Sequence, residues 1–234
     1  MSSNNNRRPK CKYFQRLRED MGNSRKILKL KKKKWIDLIK RLTKSKKYKF
    51  FNHDLHNISR RVKSLRNSYR SQLLTRQRLK LYYGSLSDNL LKNLSRRAGK
   101  RSRIKYAKKK ASEILLFSLE TRLDSVLYRS YFVSSISSAR QLIIHGNVTI
   151  NSARVTQSNT LLKLGDFIQI SEIGKSFVRR SIGKSTFWPL PPVYVEINYK
   201  ILNIYFIENI RFINLSNCYS FWSNAKSVIS SYKN

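Results

Sequence analysis

The sequence predicts an α+β fold, and three observations carry that prediction. Helical periodicity dominates residues 35–117. Two short amphipathic segments followed by alternating strands occupy 118–172, and a β-rich extension occupies 173–234. Ahead of these lies a basic arm, residues 1–34, ending in Lys31-Lys32-Lys33-Lys34.

In the helical region, Trp35, Ile36, Leu38, Ile39 and Leu42 predict a first helix, and a second is expected from His56 through Arg70. The segment Thr75 to Gly84 follows. Ser87 to Ala98 then carries Leu90, Leu91 and Leu94 as an apolar stripe. Arg96 and Arg97 close that helix, where positive charge suits the dipole. Lys100 to Arg103 and Lys108 to Lys110 read as a basic linker.

In the next segment Leu119, Leu123, Val126 and Leu127 form one helical stripe, with Arg122 and Arg129 off it on the free face. Ala139, Leu142 and Ile143 form the stripe of the following helix, flanked by Arg140, Gln141 and Ile144. Ser137 is the expected N-cap, and Gly146 stands where a left-handed C-terminal residue belongs. Val148-Thr149-Ile150 alternates as a strand, and Gly165-Asp166 punctuates the approach to a second, Phe167 to Ile170. Further on, Phe187-Trp188-Pro189 and Pro191-Pro192 mark a turn-rich connection. Val193, Val195 and Ile197 then alternate as a half-buried strand, followed by a β-rich run from Ile201 to Ile213.

Charge decides the partner class. Fifty Lys plus Arg face 12 Asp plus Glu, a net charge of +38 over 234 residues, and roughly three-quarters of the cations precede residue 111. Such an excess repels itself unless a polyanion neutralises it, so nucleic acid is the expected partner. The basic arm is then read as a tail ordered along RNA. The chain lacks an apolar run of about eighteen residues, so no membrane partner is expected. Cys11 and Cys218 have no ligand-like companions, so neither a metal, a disulfide framework nor any cofactor is expected. No phosphate-cradling Gly-rich loop is present, and the three histidines form no catalytic constellation.

The run E-x-R-L-D-x-x-x-x-R, then A-R-Q-L-x-x-H-G-x-V-x-I-N, then G-D-x-I-x-I, resembles the S-four RNA-binding domain over about fifty residues. The Arg78-to-Gly84 segment, a basic helix ending in Tyr-Gly, is similar to the helical region of small-subunit ribosomal proteins of the S-four family. This chain carries Ser152 where that family usually has Gly, Asn147 after His145-Gly146, and Gln157-Ser158-Asn159 in place of Pro-Ser-Tyr.

The resemblance implies two helices packed on a small sheet over 118–172 and no catalytic residue. It also implies small-subunit rRNA as ligand, a role in assembly, the fifth small-subunit protein as neighbour, and a position near the path by which mRNA enters, with consequences for accuracy. Carried over residue by residue, it implies rRNA contacts at Arg122, Arg129, Ser137, Arg140, Gln141 and His145, extended by Arg154 and Lys163. The helical region adds Arg78, Tyr82, Tyr83, Arg96 and Arg97, either tyrosine being a contact or core. His145 contacts phosphate or caps its helix. Asp124, within Arg122-Leu123-Asp124, is expected to pair with a neighbouring arginine rather than to act as the catalytic Asp of a pseudouridine synthase.

Usage leans towards Asn, Ile, Lys, Tyr and Phe, with only 7 Gly and 4 Pro, residues whose balance fits an A/T-rich organellar genome. V-E-I-N-Y-K at 195–200 is similar to strings in mitochondrial versions, so a mitochondrial ribosome is the expected compartment. The rival readings are a free-standing RNA-binding factor and an RNA-modifying enzyme carrying an S-four module. About sixty residues after the module are too few for a modifying domain.

Overall fold

The computed structural model describes residues 17, 31–40, 65–103, 110–183, 192, 194–207 and 225–232. Expectations on the arm before residue 31, the start of the second helix, Leu42, Lys108-Lys109, both cysteines, the Phe187-to-Pro191 turn, Val193 and residues 208–213 lie outside those residues.

The described residues fall into two compact units. One holds those up to Tyr82 together with those from Ala225 onward; the other holds those from Tyr83 to Ile207. In the first unit, helix α1 covers 33–40 and buries Trp35 and Leu38, while Ile36 faces solvent. Helix α2 is Leu65–Tyr82, one continuous helix where the sequence reading separated two segments. It buries Thr75 and Leu79 and packs against the C-terminal helix α8, Ala225–Ser230.

The second unit begins at a turn in which Gly84 and Ser85 both take left-handed φ, +73° and +57°. Helix α3, Asp88–Ser102, starts at Ser87, whose hydroxyl accepts from the Leu90 amide. Leu91, Ser95 and Ala98 are its buried stripe, at i, i+4 and i+7. The helix runs past Ala98, so the basic residues of its last turn are Lys100 and Arg101 rather than Arg96 and Arg97.

The stripe expected on one helix, Leu119, Leu123, Val126 and Leu127, is instead divided between two helices, α4 (Ala111–Glu120) and α5 (Leu123–Arg129). The break has a backbone cause. Thr121 and Leu123 leave the helical ladder to pair with the 160–162 segment, the Leu123 amide donating to Thr160 O and the Leu162 amide to Thr121 O, both at 2.9 Å.

Helix α6 is Ile136–Ile144, and its N-cap is Ser135, not Ser137. Ser135 is extended, and its hydroxyl accepts from the Ser138 amide at 3.2 Å. Starting one residue before Ile136 lets that side chain bury in the first turn, against Gly84; Ser137 is left exposed. At the other end Gly146, φ +68°, closes the helix as read: the Asn147 amide donates to Leu142 O and the Gly146 amide to Ile143 O.

The sheet is antiparallel throughout, in the order β2-β1-β3-β5-β4. Its strands are β1 (Val148–Ile150), β2 (Ala153–Arg154), β3 (Phe167–Ile170), β4 (Val195–Asn198) and β5 (Asn203–Phe206). The β1–β2 hairpin turns on Asn151 and Ser152, both at positive φ (+49° and +69°), as a two-residue turn of this kind demands. Asn151 also anchors β3: its Nδ2 donates to Asp166 and its Oδ1 accepts from the Phe167 amide. Strands β4 and β5 join β3, so they enlarge the sheet of the preceding module instead of forming a separate one. Between them and β3 lies helix α7, Glu172–Gly183, within a segment read from sequence as β-rich. Its buried side shows only Gly174 and Val178, too small a stripe to announce a helix.

Candidate nucleic-acid interface

Two buried carboxylates organise the unit from Tyr83 to Ile207. Glu120, fully buried, accepts the Tyr83 hydroxyl, the Tyr194 hydroxyl at 3.0 Å, and a two-pronged Arg129 guanidinium at 3.1 and 2.7 Å. Asp124, equally buried, is gripped by Arg122 at 3.0 and 2.8 Å and by Arg140 Nε at 2.9 Å. The two remaining Arg140 prongs donate to Gly84 O at 2.6 Å and Tyr83 O at 2.8 Å. A buried charge persists only when paired and hydrogen-bonded, and both carboxylates meet that condition. Asp124 thus pairs with arginine, as expected.

This geometry corrects the expected free face. Arg122 is 5% exposed, inside the fold, and Tyr83 at 1% is core rather than contact. The cause is the E-x-R-L-D spacing itself. Once the chain breaks at Thr121, the two carboxylates turn inward and must recruit the nearest guanidiniums. Gly84 completes the arrangement, since a Cβ there would meet Ile136 Cγ2 at 2.8 Å and Arg140 Cζ at 3.0 Å.

Other expected residues do face solvent. Ser137, Gln141, Ile144 and His145 lie along one exposed stripe of α6, at i, i+4, i+7 and i+8. Arg154, exposed on β2, reaches back so that its Nη2 donates to His145 O at 3.1 Å. Its guanidinium lies where a Cβ on Gly146 would be, but as the far end of an exposed side chain it can move aside, so it is the left-handed φ that calls for glycine there. His145 is the C-terminal cap residue of α6 and is exposed, which keeps its ring available to a ligand. Lys163 is also exposed, in a loop held by its own amide donating to Asp166 at 2.7 Å.

Arg96 and Arg97 are exposed on α3. With them stand Lys92, Lys100, Arg101 and Arg103, also exposed and spaced so that Lys92, Arg96 and Lys100 form a continuous line. The sequence reading placed Lys100 to Arg103 in a linker; the i, i+4 spacing from Lys92 was the signal that would have put Lys100 and Arg101 on the helix. Arg78 and Tyr82 belong to the other unit, half-buried on α2, where Arg78 donates to Leu17 O at 2.9 Å. Burial pushes the Tyr128 phenol up despite the adjacent Arg129 charge, and burial likewise raises Tyr199, whose hydroxyl donates to Ser130 O. Tyr199 therefore serves as a neutral donor.

Among the described residues no group of three or more His, Cys, Asp or Glu gathers in a metal-ligating cluster. None of the described helices is long and apolar enough to cross a membrane.

Two helices capped onto an antiparallel sheet, with polar and basic side chains along one helix and its adjoining hairpin, define an RNA-binding S4 domain, and residues 121–168 match the S4 domain family. The chain is 34% identical over 152 residues to small ribosomal subunit protein uS4 of Borrelia hermsii, covering 64% of this chain and 69% of the relative. It is 32% identical over 146 residues to the uS4 protein of Pelagibacter ubique (62% and 68% covered), and 38% over 112 residues to that of Caulobacter vibrioides (48% and 52%). The chain belongs to the uS4 family of small ribosomal subunit proteins.

Proposed function

We propose that this chain is a structural constituent of the small ribosomal subunit that binds small-subunit rRNA and performs no catalysis. The observation that carries this reading is the exposed α6 stripe of Ser137, Gln141 and His145, continued by Arg154 and Lys163, on a chain of net charge +38. The Lys92–Arg96–Lys100 line and Arg97 on α3 supply further phosphate contacts. Phosphate contacts fix register, while Ser, Gln and His side chains meet riboses and exposed bases. Arg122, Arg129 and Arg140 act one step behind, by holding the helices that present those groups. Arg78 and Tyr82 contribute from α2.

The family places such a protein beside other small-subunit proteins. Its role in assembly, a neighbouring fifth small-subunit protein, a position near the incoming mRNA and an influence on accuracy all belong to this proposal. The compartment proposed is the mitochondrial matrix. Support comes from composition: 13 Tyr and 11 Phe stand against 7 Gly and 4 Pro, a balance typical of A/T-rich organellar coding.

The test is crosslinking in purified organelles, with sequencing of attached RNA and sedimentation at high salt. The expected result is retention on the small subunit, with reads concentrated at one rRNA junction and diminished when Gln141→Ala, His145→Ala and Arg154→Ala are combined. Reads scattered over tRNA or mRNA, with the chain washing off the subunit, would overturn this reading in favour of a free-standing factor.

A further inference from the structure

The sheet has two faces of opposite character. Its inner face is closed: Val148, Ile168 and Ile204 are fully buried and Ile170 nearly so. The register places their neighbours on the other side. Phe167 lies opposite Tyr205, which lies opposite Glu196; Gln169 lies between Thr149 and Asn203. This outer face carries no aliphatic side chain from β3 or β5. Phe167 and Tyr205 stack with ring centroids 4.4 Å apart at 27°, and Tyr205 remains 47% exposed. The side-chain amides of Gln169 and Asn203, adjacent in register, have no hydrogen-bond partner among the described residues.

We propose that this outer face is a second RNA-binding site, taking one or two unpaired nucleotides that stack on Tyr205 and present their base edges to Gln169 and Asn203. The proposal rests on reading the chain as an RNA binder, and it names a ligand class and a surface separate from α6. An exposed aromatic ring beside unpaired amides suits a splayed base, which offers one π-face and a donor–acceptor edge. A protein partner would call for an apolar centre, and β3 and β5 supply none on this face beyond the two rings. Charge orients the strand. Glu196 stands at the Tyr205 end and repels phosphate, whereas Arg154, opposite Thr149 in register, is the cation at the far side. Because Arg154 also reaches His145 O, a strand leaving the α6 stripe crosses directly onto the sheet.

The full-length chain would be photocrosslinked to a short single-stranded oligouridine carrying iodouridine, and the attached peptide mapped by mass spectrometry. Affinity for the same oligonucleotide would be measured at fixed and varied salt. The expected crosslink is at Tyr205 or Phe167. Tyr205→Ala should weaken oligouridine binding roughly tenfold with an unchanged salt slope, because a stack is lost and no phosphate contact is. Tyr205→Phe should bind like the original chain, which separates loss of the ring from loss of folding. Crosslinks confined to the basic helices, or equal binding by Tyr205→Ala, would overturn the proposal. Failure of the ribosomal reading would look different: the folded rRNA junction would lose its preference whatever residue stood at 205.

Discussion

The E-x-R-L-D segment and the far end of α6 are made of the same kinds of residue and use them in opposite ways. At the first, three guanidiniums converge on two buried carboxylates, and Arg140 adds two carbonyls from the turn at Tyr83-Gly84. At the second, Gln141, His145 and Arg154 stand in solvent around a helix end closed by a glycine. The difference teaches that an arginine's place in a family-like motif does not say whether it touches the ligand. Here Arg122, Arg129 and Arg140 are fasteners for Glu120 and Asp124, whereas Arg154 stands exposed with its guanidinium on a carbonyl.

That contrast can be broken most severely at Glu120. Its replacement by Ala removes the partner of a part-buried Arg129 and of two tyrosine hydroxyls; chemical denaturation should show a loss of about 4 kcal/mol. The corresponding test at the exposed end is Gly146→Ala. The left-handed backbone should cost about 1 kcal/mol, and Arg154→Ala in the same chain should recover little of it, because the guanidinium can move aside. At the start of α6, Ser135→Ala should cost about 1 kcal/mol as a lost cap, whereas Ser137→Ala should stay within about 0.5 kcal/mol. Equal effects at the two serines would undo the assignment of the cap. The smallest expected change is a gain: Ser152→Gly relieves a left-handed non-glycine residue and should raise the melting midpoint, by about 0.5 kcal/mol in free energy.

Much of α6 and the strands after it was legible because short-range chemistry decides them. Gly146 can only end the helix, Gly165-Asp166 can only be a turn before β3, and Val195 to Ile197 alternate in burial as read. The cap was misplaced because serines flank Ile136 on both sides, and the tie is broken by where Ile136 finds a partner, at Gly84, more than fifty residues earlier. Helix α7 was invisible for a related reason: its contact with Asn147 and Ile170 is made by Gly174, which leaves no apolar mark in sequence. The destinations of Arg122 and Arg140 were hidden because spacing alone does not reveal that the backbone turns out of its helix at Thr121 to pair with Leu162. Of the surface, Gln141 and Ile144 stand exposed on the flank of α6 where the spacing put them, Arg140 from the same flank turns onto Asp124, and the α3 line was half seen.

The Tyr194 hydroxyl on Glu120 has a consequence for the order of events at synthesis. The two residues are 74 apart in sequence, and β5, which closes the open edge of β3, emerges later still. A nascent chain that has reached residue 170 holds every strand of the 121–168 match, yet its Glu120 lacks one donor and its β3 lacks a neighbour. A fragment cut at residues 121–168 would lack Glu120 itself as well as the β5 neighbour of β3. Emergence of residues 194–206, rather than completion of the 121–168 match, is therefore what supplies Glu120 with its last donor and β3 with its second neighbour.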